Sequence, residues 1–187
     1  MLKKALVVVV FLIVAFAAFV AMQPSEFRVE RTISVAAPAD RIFPLVNDFH
    51  NSASWSPWDK LDPAMKKSFE GPAEGVGSVY SWDGNEKVGA GRMSILESQP
   101  NERVKMRLEN FRPFESTSTT ELVLTPRAGA TSVQWSLTGH NGFVEKAVCL
   151  FVSMDEVIGP DFEKGLAQLK TAAESTPQTE TVSTPTL

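Results

Sequence analysis

The sequence predicts an α+β domain: a curved antiparallel sheet of about seven strands wrapped around one long C-terminal helix, with an N-terminal transmembrane helix ahead of it. Three observations carry this. Residues 27–35, and then a series of segments between 65 and 137, alternate apolar and polar side chains with period two, as half-buried strands do. Asp83-Gly84-Asn85-Glu86 and Arg127-Ala128-Gly129-Ala130 are short, turn-forming connections, and connections this short join antiparallel neighbours. The period becomes helical only at the end, over 161–174. There Phe162, Leu166 and Leu169 share a face opposite Glu163, Lys164, Gln168 and Lys170.

The first 22 residues stand apart. Lys3 and Lys4 precede residues 5–22, a run of eighteen with no charged or polar side chain. As a helix this run is about 27 Å long, close to the hydrocarbon thickness of a bilayer. A signal-peptide core is shorter, about 7–15 residues. The small-x-small triplet Ala15-Phe16-Ala17 also lies inside the run, so an uncleaved anchor is favoured over a cleaved signal. Gln23-Pro24-Ser25-Glu26 ends the helix. Lysines before the run and acidic residues after it place the N-terminus in the cytoplasm. The expected location is the cytoplasmic (inner) membrane, single-pass, with the domain facing the periplasm or exterior. The expected division is 1–22 anchor or signal, 27–174 domain, and 175–187 a disordered tail of Ser, Thr, Pro and Gln.

The first strand, 27–35, turns Phe27, Val29, Ile33 and Val35 one way, with Arg31 the misfit among them. Pro38 suits the first turn of a helix carrying Ile42, Phe43, Leu45, Val46 and Phe49, which Pro44 should shorten or kink. An aromatic loop over 51–63 holds Trp55-Ser56-Pro57-Trp58, and 71–77 is a second turn region. Strands are expected at 65–70, 78–82, 88–97, 103–109, 115–124 and 131–137. Residues 143–157 are apolar with sparse charge, and Gly159-Pro160-Asp161 is expected to stop that segment and start the final helix.

Composition removes several function classes. Hydrophobic residues make up 43% and charged residues 21%, a balance that supports one globular domain. Net charge is −4. Without Lys3 and Lys4 there are 16 basic against 22 acidic residues, a net of −6. With no Lys/Arg cluster to neutralise phosphates, nucleic acid is not an expected partner. Cys149 is the only cysteine, so no internal disulfide forms, and its apolar neighbours suit an inert thiol. His50 and His140 lack metal-ligand spacing. No phosphate-cradling glycine loop precedes a Lys. No metal, nucleotide or other cofactor is expected.

The opening strand runs into Val35-Ala36-Ala37-Pro38-Ala39-Asp40-Arg41-Ile42-Phe43. Asn47-Asp48-Phe49, Trp55-Ser56-Pro57-Trp58, Gly75-Val76-Gly77-Ser78 and the closing Asp161-Phe162-Glu163-Lys164-Gly165-Leu166-Ala167-Gln168-Leu169-Lys170 follow in order. In this order and spacing the chain, over about 27–174, resembles the helix-grip superfamily of START, Bet v 1 and polyketide-cyclase-like domains, often labelled SRPBCC. The resemblance implies a hydrophobic pocket for lipids, sterols, polyketides or similar apolar molecules, in proteins of which some are enzymes and many only bind or carry. A fold hosts many functions, and no family catalytic residue transfers to this sequence.

Strand alternation turns Gly91, Met93, Ile95, Val104, Met106, Leu108, Thr120, Leu122, Val133, Trp135 and Leu137 inward, with Phe143, Phe151 and Met154 expected to close the pocket. Trp55 and Trp58 form either a rigid rim at the pocket mouth or a plug of ordinary core. The candidate ligand-binding set is Trp55, Trp58, Met93, Met106, Trp135, Phe151 and Met154, with no catalytic residue assigned. The favoured function is a membrane-tethered binding or carrier domain for a hydrophobic small molecule or lipid in the cell envelope. A cyclase- or hydrolase-type enzyme is the alternative. It would use Glu97, which alternation puts on the face of Met93 and Ile95 with a raised pKa, or His140. A third reading is an interaction module in which Trp58, Trp82 and Trp135 fill the sheet–helix gap.

Overall fold

In the computed structural model, which describes residues 2–175, the alternating segments form seven strands. They are β1 (Glu26–Val35), β2 (Lys66–Glu70), β3 (Val79–Asp83), β4 (Ala90–Gln99), β5 (Arg103–Arg112), β6 (Ser116–Arg127) and β7 (Ala130–His140). All neighbours are antiparallel, in the order β1-β7-β6-β5-β4-β3-β2. Strands two to seven thus form one meander, and β1 closes onto β7. The helices are α1 (Leu2–Ala21), α2 (Ala39–Asn47), α3 (Phe143–Cys149) and α4 (Met154–Ser175). This is the helix-grip α+β architecture that the alternation and the final helix predict. The polar tail expected at 175–187 lies, beyond Ser175, outside the described residues.

Strands run past their predicted ends because ladder pairing continues where apolar alternation stops. At the end of β7, Thr138, Gly139 and His140 pair with Arg28, Phe27 and Glu26 of β1. Inward residues of β1, β7, β6 and β5 make the core floor: Val29, Val133, Leu137, Leu122, Val104 and Met106 are all buried there. From above, Phe162, Leu166 and Leu169 of α4 and Ile42 and Val46 of α2 cover them.

The predicted break at Gly159-Pro160-Asp161 is absent: α4 begins at Met154 and continues through Pro160. An interior proline removes one helical hydrogen bond and crowds the preceding turn, so something must hold both halves together. Arg31 does this. Its Nη1 and Nη2 donate to Asp155 at 2.7 and 2.9 Å, ahead of the proline, and its Nε donates to Glu163 at 2.8 Å, beyond it. Gly159 makes room, since a Cβ there would collide with the guanidinium. The misfit of the apolar stripe is therefore a clamp between β1 and α4. Further along, Lys170 Nζ donates to the Ser34 carbonyl at 2.8 Å, and Ala36 N–H donates to Glu174 at 2.6 Å, so α4 is tied along the length of β1.

Hydrogen bonding to Arg31 holds the Asp155 carboxyl below its ordinary pKa. A depressed carboxylate contributes stability above its unfolded pKa, about 3.9 for Asp, and loses that contribution as pH falls through the folded value. Thermal unfolding of wild type and Asp155→Asn should therefore differ most near neutral pH and converge in acid. A difference independent of pH would show that the clamp does not depend on the carboxylate charge.

Candidate functional site

Trp135 stands where the sheet meets the final helix. It projects from β7 between Val133 and Leu137, and its ring lies 3.9 Å from that of Phe162 on α4, 6° from parallel. Stacking this close needs the helix backbone near the sheet. Gly165, one turn after Phe162, allows it: a Cβ there would lie 2.7 Å from Trp135 Cζ3 and 3.3 Å from Pro57 Cδ. The buried indole N–H donates to Thr120 Oγ1 at 2.8 Å, and that hydroxyl donates to the Ser136 carbonyl at 3.0 Å. A buried indole needs such an acceptor, which accounts for a threonine within the apolar stripe of β6.

Trp55 and Trp58 approach the same indole edge-on, at 5.4 and 5.9 Å between centroids. Trp55 is buried and donates its N–H to the Leu45 carbonyl at 2.7 Å, while Trp58 stays partly exposed. The three predicted tryptophans thus converge, but in the middle of the sheet–helix gap. Met106 is buried on β5, and Met93 on β4 is half-buried beside Leu108, its partner across the ladder. Met154 packs against the core at the start of α4.

Phe143 and Phe151, expected to close the pocket, do not: Phe151 is 82% exposed and Phe143 also faces outward. The segment after β7 breaks into the seven-residue α3 and a turn. It docks beside the last turn of α1, where Lys146 Nζ donates to the Ala21 carbonyl at 3.5 Å, rather than over the sheet.

A second aromatic group forms around Tyr80, and Trp82, expected to fill the gap with Trp58 and Trp135, belongs to it. Tyr80 stacks with Phe69 at 5.4 Å and with Trp82 at 5.7 Å, and Phe49 approaches at 5.9 Å. Trp82 lies over Gly91, where a Cβ would press on its ring, and donates its N–H to the Val88 carbonyl at 3.1 Å. Burial, and then the charge of nearby Asp59, push the Tyr80 hydroxyl well above its ordinary pKa, so it remains a neutral donor. Asp59 itself pairs with Lys67 at 2.9 Å. The readable signal was alternation on β3, which puts Tyr80 and Trp82 on one face opposite Met93 and Gly91.

The acid–base candidates are not in the gap. A bulge between Ile95 and Glu97 shifts the ladder by one residue, so Ile95 stays inward while Glu97 turns to the outer face. There it accepts from Arg103 at 2.7 Å and Lys105 at 3.0 Å. The Lys105 hydrogen bond lowers its pKa, the reverse of the predicted shift. His140 is exposed at the end of β7, 3.4 Å from Glu26.

Space remains at the end of the gap nearest α1. A cleft of about 320 Å³ opens between the start of β1 and the α3–α4 turn, where Phe27, Leu150 and Met154 share the wall with the charged Glu26, Arg28, Lys146 and Asp155. Its volume falls at the lower end of the range for small-molecule sites, about 300–1,000 Å³.

Comparisons with known proteins agree with this geometry. Residues 26–174 match the family described as polyketide cyclase / dehydrase and lipid transport. No curated protein matches the sequence. A solved protein from Nitrosospira multiformis is 22% identical, with a TM-score of 0.58 over 80% of this chain and 97% of that one. One from Mesorhizobium loti is 15% identical, with a TM-score of 0.60 over 81% and 100%. The di-domain ARO/CYC StfQ of the steffimycin biosynthetic pathway is 12% identical, with a TM-score of 0.57 over 80% and 52%. At these identities the likeness shows the fold.

Gly165→Ala sets the close approach of α4 against one added methyl group. Overpacking of this kind costs about 1–3 kcal/mol. Urea unfolding should register that loss together with a changed near-ultraviolet circular dichroism signal from Trp135. Unchanged stability would mean that α4 can move away from the indole at no cost.

Proposed function

Because the chain belongs to the polyketide cyclase / dehydrase and lipid transport family, we propose that it is a membrane-tethered binding or carrier domain for a hydrophobic small molecule or lipid in the cell envelope. The observation that carries this reading is the position of the cleft, whose lining is part apolar and part charged. It opens where β1 leaves α1, and α1 is long and apolar enough to cross a membrane, as an anchor or a signal sequence is. An apolar molecule partitions into the bilayer, so a cleft beside the anchor shortens its path from lipid to protein. Phe27, Leu150 and Met154 supply apolar contact, and the polar edge orients a headgroup or hydroxyl. Trp58, Met93 and Leu108, each partly exposed, are the wall a longer ligand tail meets further in, bounded by Trp55, Met106 and Trp135. The domain faces the periplasm or exterior in this reading, and the ligand is carried rather than transformed.

One observation favours a second reading. Trp135 stacked on Phe162, with Trp55 and Trp58 against its edge, already occupies the middle of the gap. An interaction module without a ligand would be packed in this way.

Native mass spectrometry of full-length protein, extracted gently from its own membrane, separates the two. A stoichiometric apolar adduct, identified after organic extraction, is expected of the carrier. A bare mass with an intact N-terminus would sink the carrier reading and leave the packed module.

A further inference from the structure

We infer that the anchor-side end of the domain is a bilayer-docking face, on which the β5–β6 turn and the outer side of α3 insert into the lipid interface. The inference rests on the reading of α1 as a spanning anchor and adds to it a fixed orientation of the domain on the membrane.

The ladder register places these parts at one level. Phe27 of β1 pairs with Gly139 of β7, which pairs with Ser118 of β6. Ser116 lies two residues further toward the same end, about 7 Å beyond Phe27, and pairs with Asn110 as the last rung before the turn. The turn at 111–115 therefore projects past the start of β1, to the level of the segment 22–25 that leaves α1. Sideways it stands two to three strand spacings from β1, about 10–14 Å. On the other flank, Asn141 N–H donates to the Ser25 carbonyl at 2.7 Å, and α3 lies against the end of α1. Val20 is fully buried there, the only buried residue among those described in α1.

Apolar exposure concentrates on this end. Among the described residues outside α1, the four most exposed phenylalanines are Phe111, Phe114, Phe143 and Phe151. Two sit on the turn, with Phe114 76% exposed, and two on α3 or just after it. Val144 and Val148 are exposed with Phe151, at the i, i+4, i+7 spacing of one helical face. An amphipathic helix in a soluble domain turns such a face inward, whereas this one turns it out. The two groups flank the start of β1; exposed apolar side chains gathered at one end mark a docking face, and the connection to α1 selects the occupant. From Ala21 to Glu26 there are five Cα steps, at most about 17 Å, so a spanning α1 holds this face at the bilayer surface. Charges of both signs border it, Arg112 and Lys146 with Glu115 and Glu145, so insertion depends on apolar contact rather than on anionic headgroups. The same face contains the cleft lined by Phe27, Leu150 and Met154 with Glu26, Arg28 and Asp155, which then opens at the lipid interface.

The test uses the full chain with Cys149→Ser, reconstituted in phosphatidylcholine vesicles and carrying one nitroxide label at a time. The labelled substitutions are Phe114→Cys, Phe151→Cys, Val10→Cys and Val76→Cys. Val76 lies in the turn between β2 and β3, which points away from the anchor-side end, at the edge of the sheet farthest from β1. Relative collision with oxygen and with a water-soluble nickel complex reports depth. Labels at 114 and 151 should both lie about 5–10 Å into the interface, as inserted apolar faces do, with 10 in the bilayer core and 76 in water. If 114 or 151 reads as water while 10 reads as lipid, docking is overturned and the anchor stands. Water at position 10 overturns the anchor and the docking with it. Shielding of 151 from both oxygen and nickel would assign the face to a protein partner and overturn the lipid assignment.

Discussion

The close approach of α4 to β7, with Trp135 stacked flat on Phe162, is the contact around which the domain is arranged. Two rings 3.9 Å apart leave no slack between sheet and helix, and Gly165 is the residue that permits it. Once α4 is held there, Trp55 and Trp58 have the indole edge to pack upon and Pro57 meets the helix backbone. The Trp135 N–H then determines what β6 must carry, a hydroxyl at Thr120. Buried aromatic contact supplies the driving force, because such side chains remove about 150–250 Å² each from water.

The polar groups show how the same packing disposes of charge. Arg31 enters the apolar face of β1 because α4 brings Asp155 and Glu163 to it, one on each side of Pro160. Most other charges are sent outward. Arg103 and Lys105 meet Glu97 on the outer face, with Glu121 alongside Arg103 at 3.4 Å. Neither Glu97 nor His140 faces the tryptophans. The Tyr80 hydroxyl, kept neutral by burial, is the titratable group that remains on the sheet's inner side near Asp59.

Function in this reading follows from what coincides at one end of the sheet. The exit from α1, the cleft, the β5–β6 turn and the outward face of α3 all lie at the level where β1 begins. The β2–β3 turn, at the far edge of the sheet and pointing the other way, has no comparable group of exposed aromatic side chains among the described residues. With α1 spanning a membrane, as proposed, a connection of about five residues would hold that end at the lipid surface.

Much of the fold was legible in the sequence because it depends on local pattern. Period-two alternation and short turns define antiparallel neighbours, since side chains on a strand must alternate between core and water. An apolar run the length of a bilayer defines α1. Alternation turned only Trp135 inward; Trp55 and Trp58 lie in a loop, and their meeting with Trp135 was not legible in the sequence. What only the tertiary structure decided depends on distance and register between residues far apart in the chain. A one-residue bulge moved Glu97 to the other face. A guanidinium 124 residues before Asp155 carried a helix through Gly159-Pro160. The docking of α3 on α1 turned Phe143 and Phe151 outward. Whether the sheet–helix gap is filled or open is set by how closely α4 can approach. That spacing is a sum of packed side-chain volumes from many elements, and no segment of the chain carries it alone.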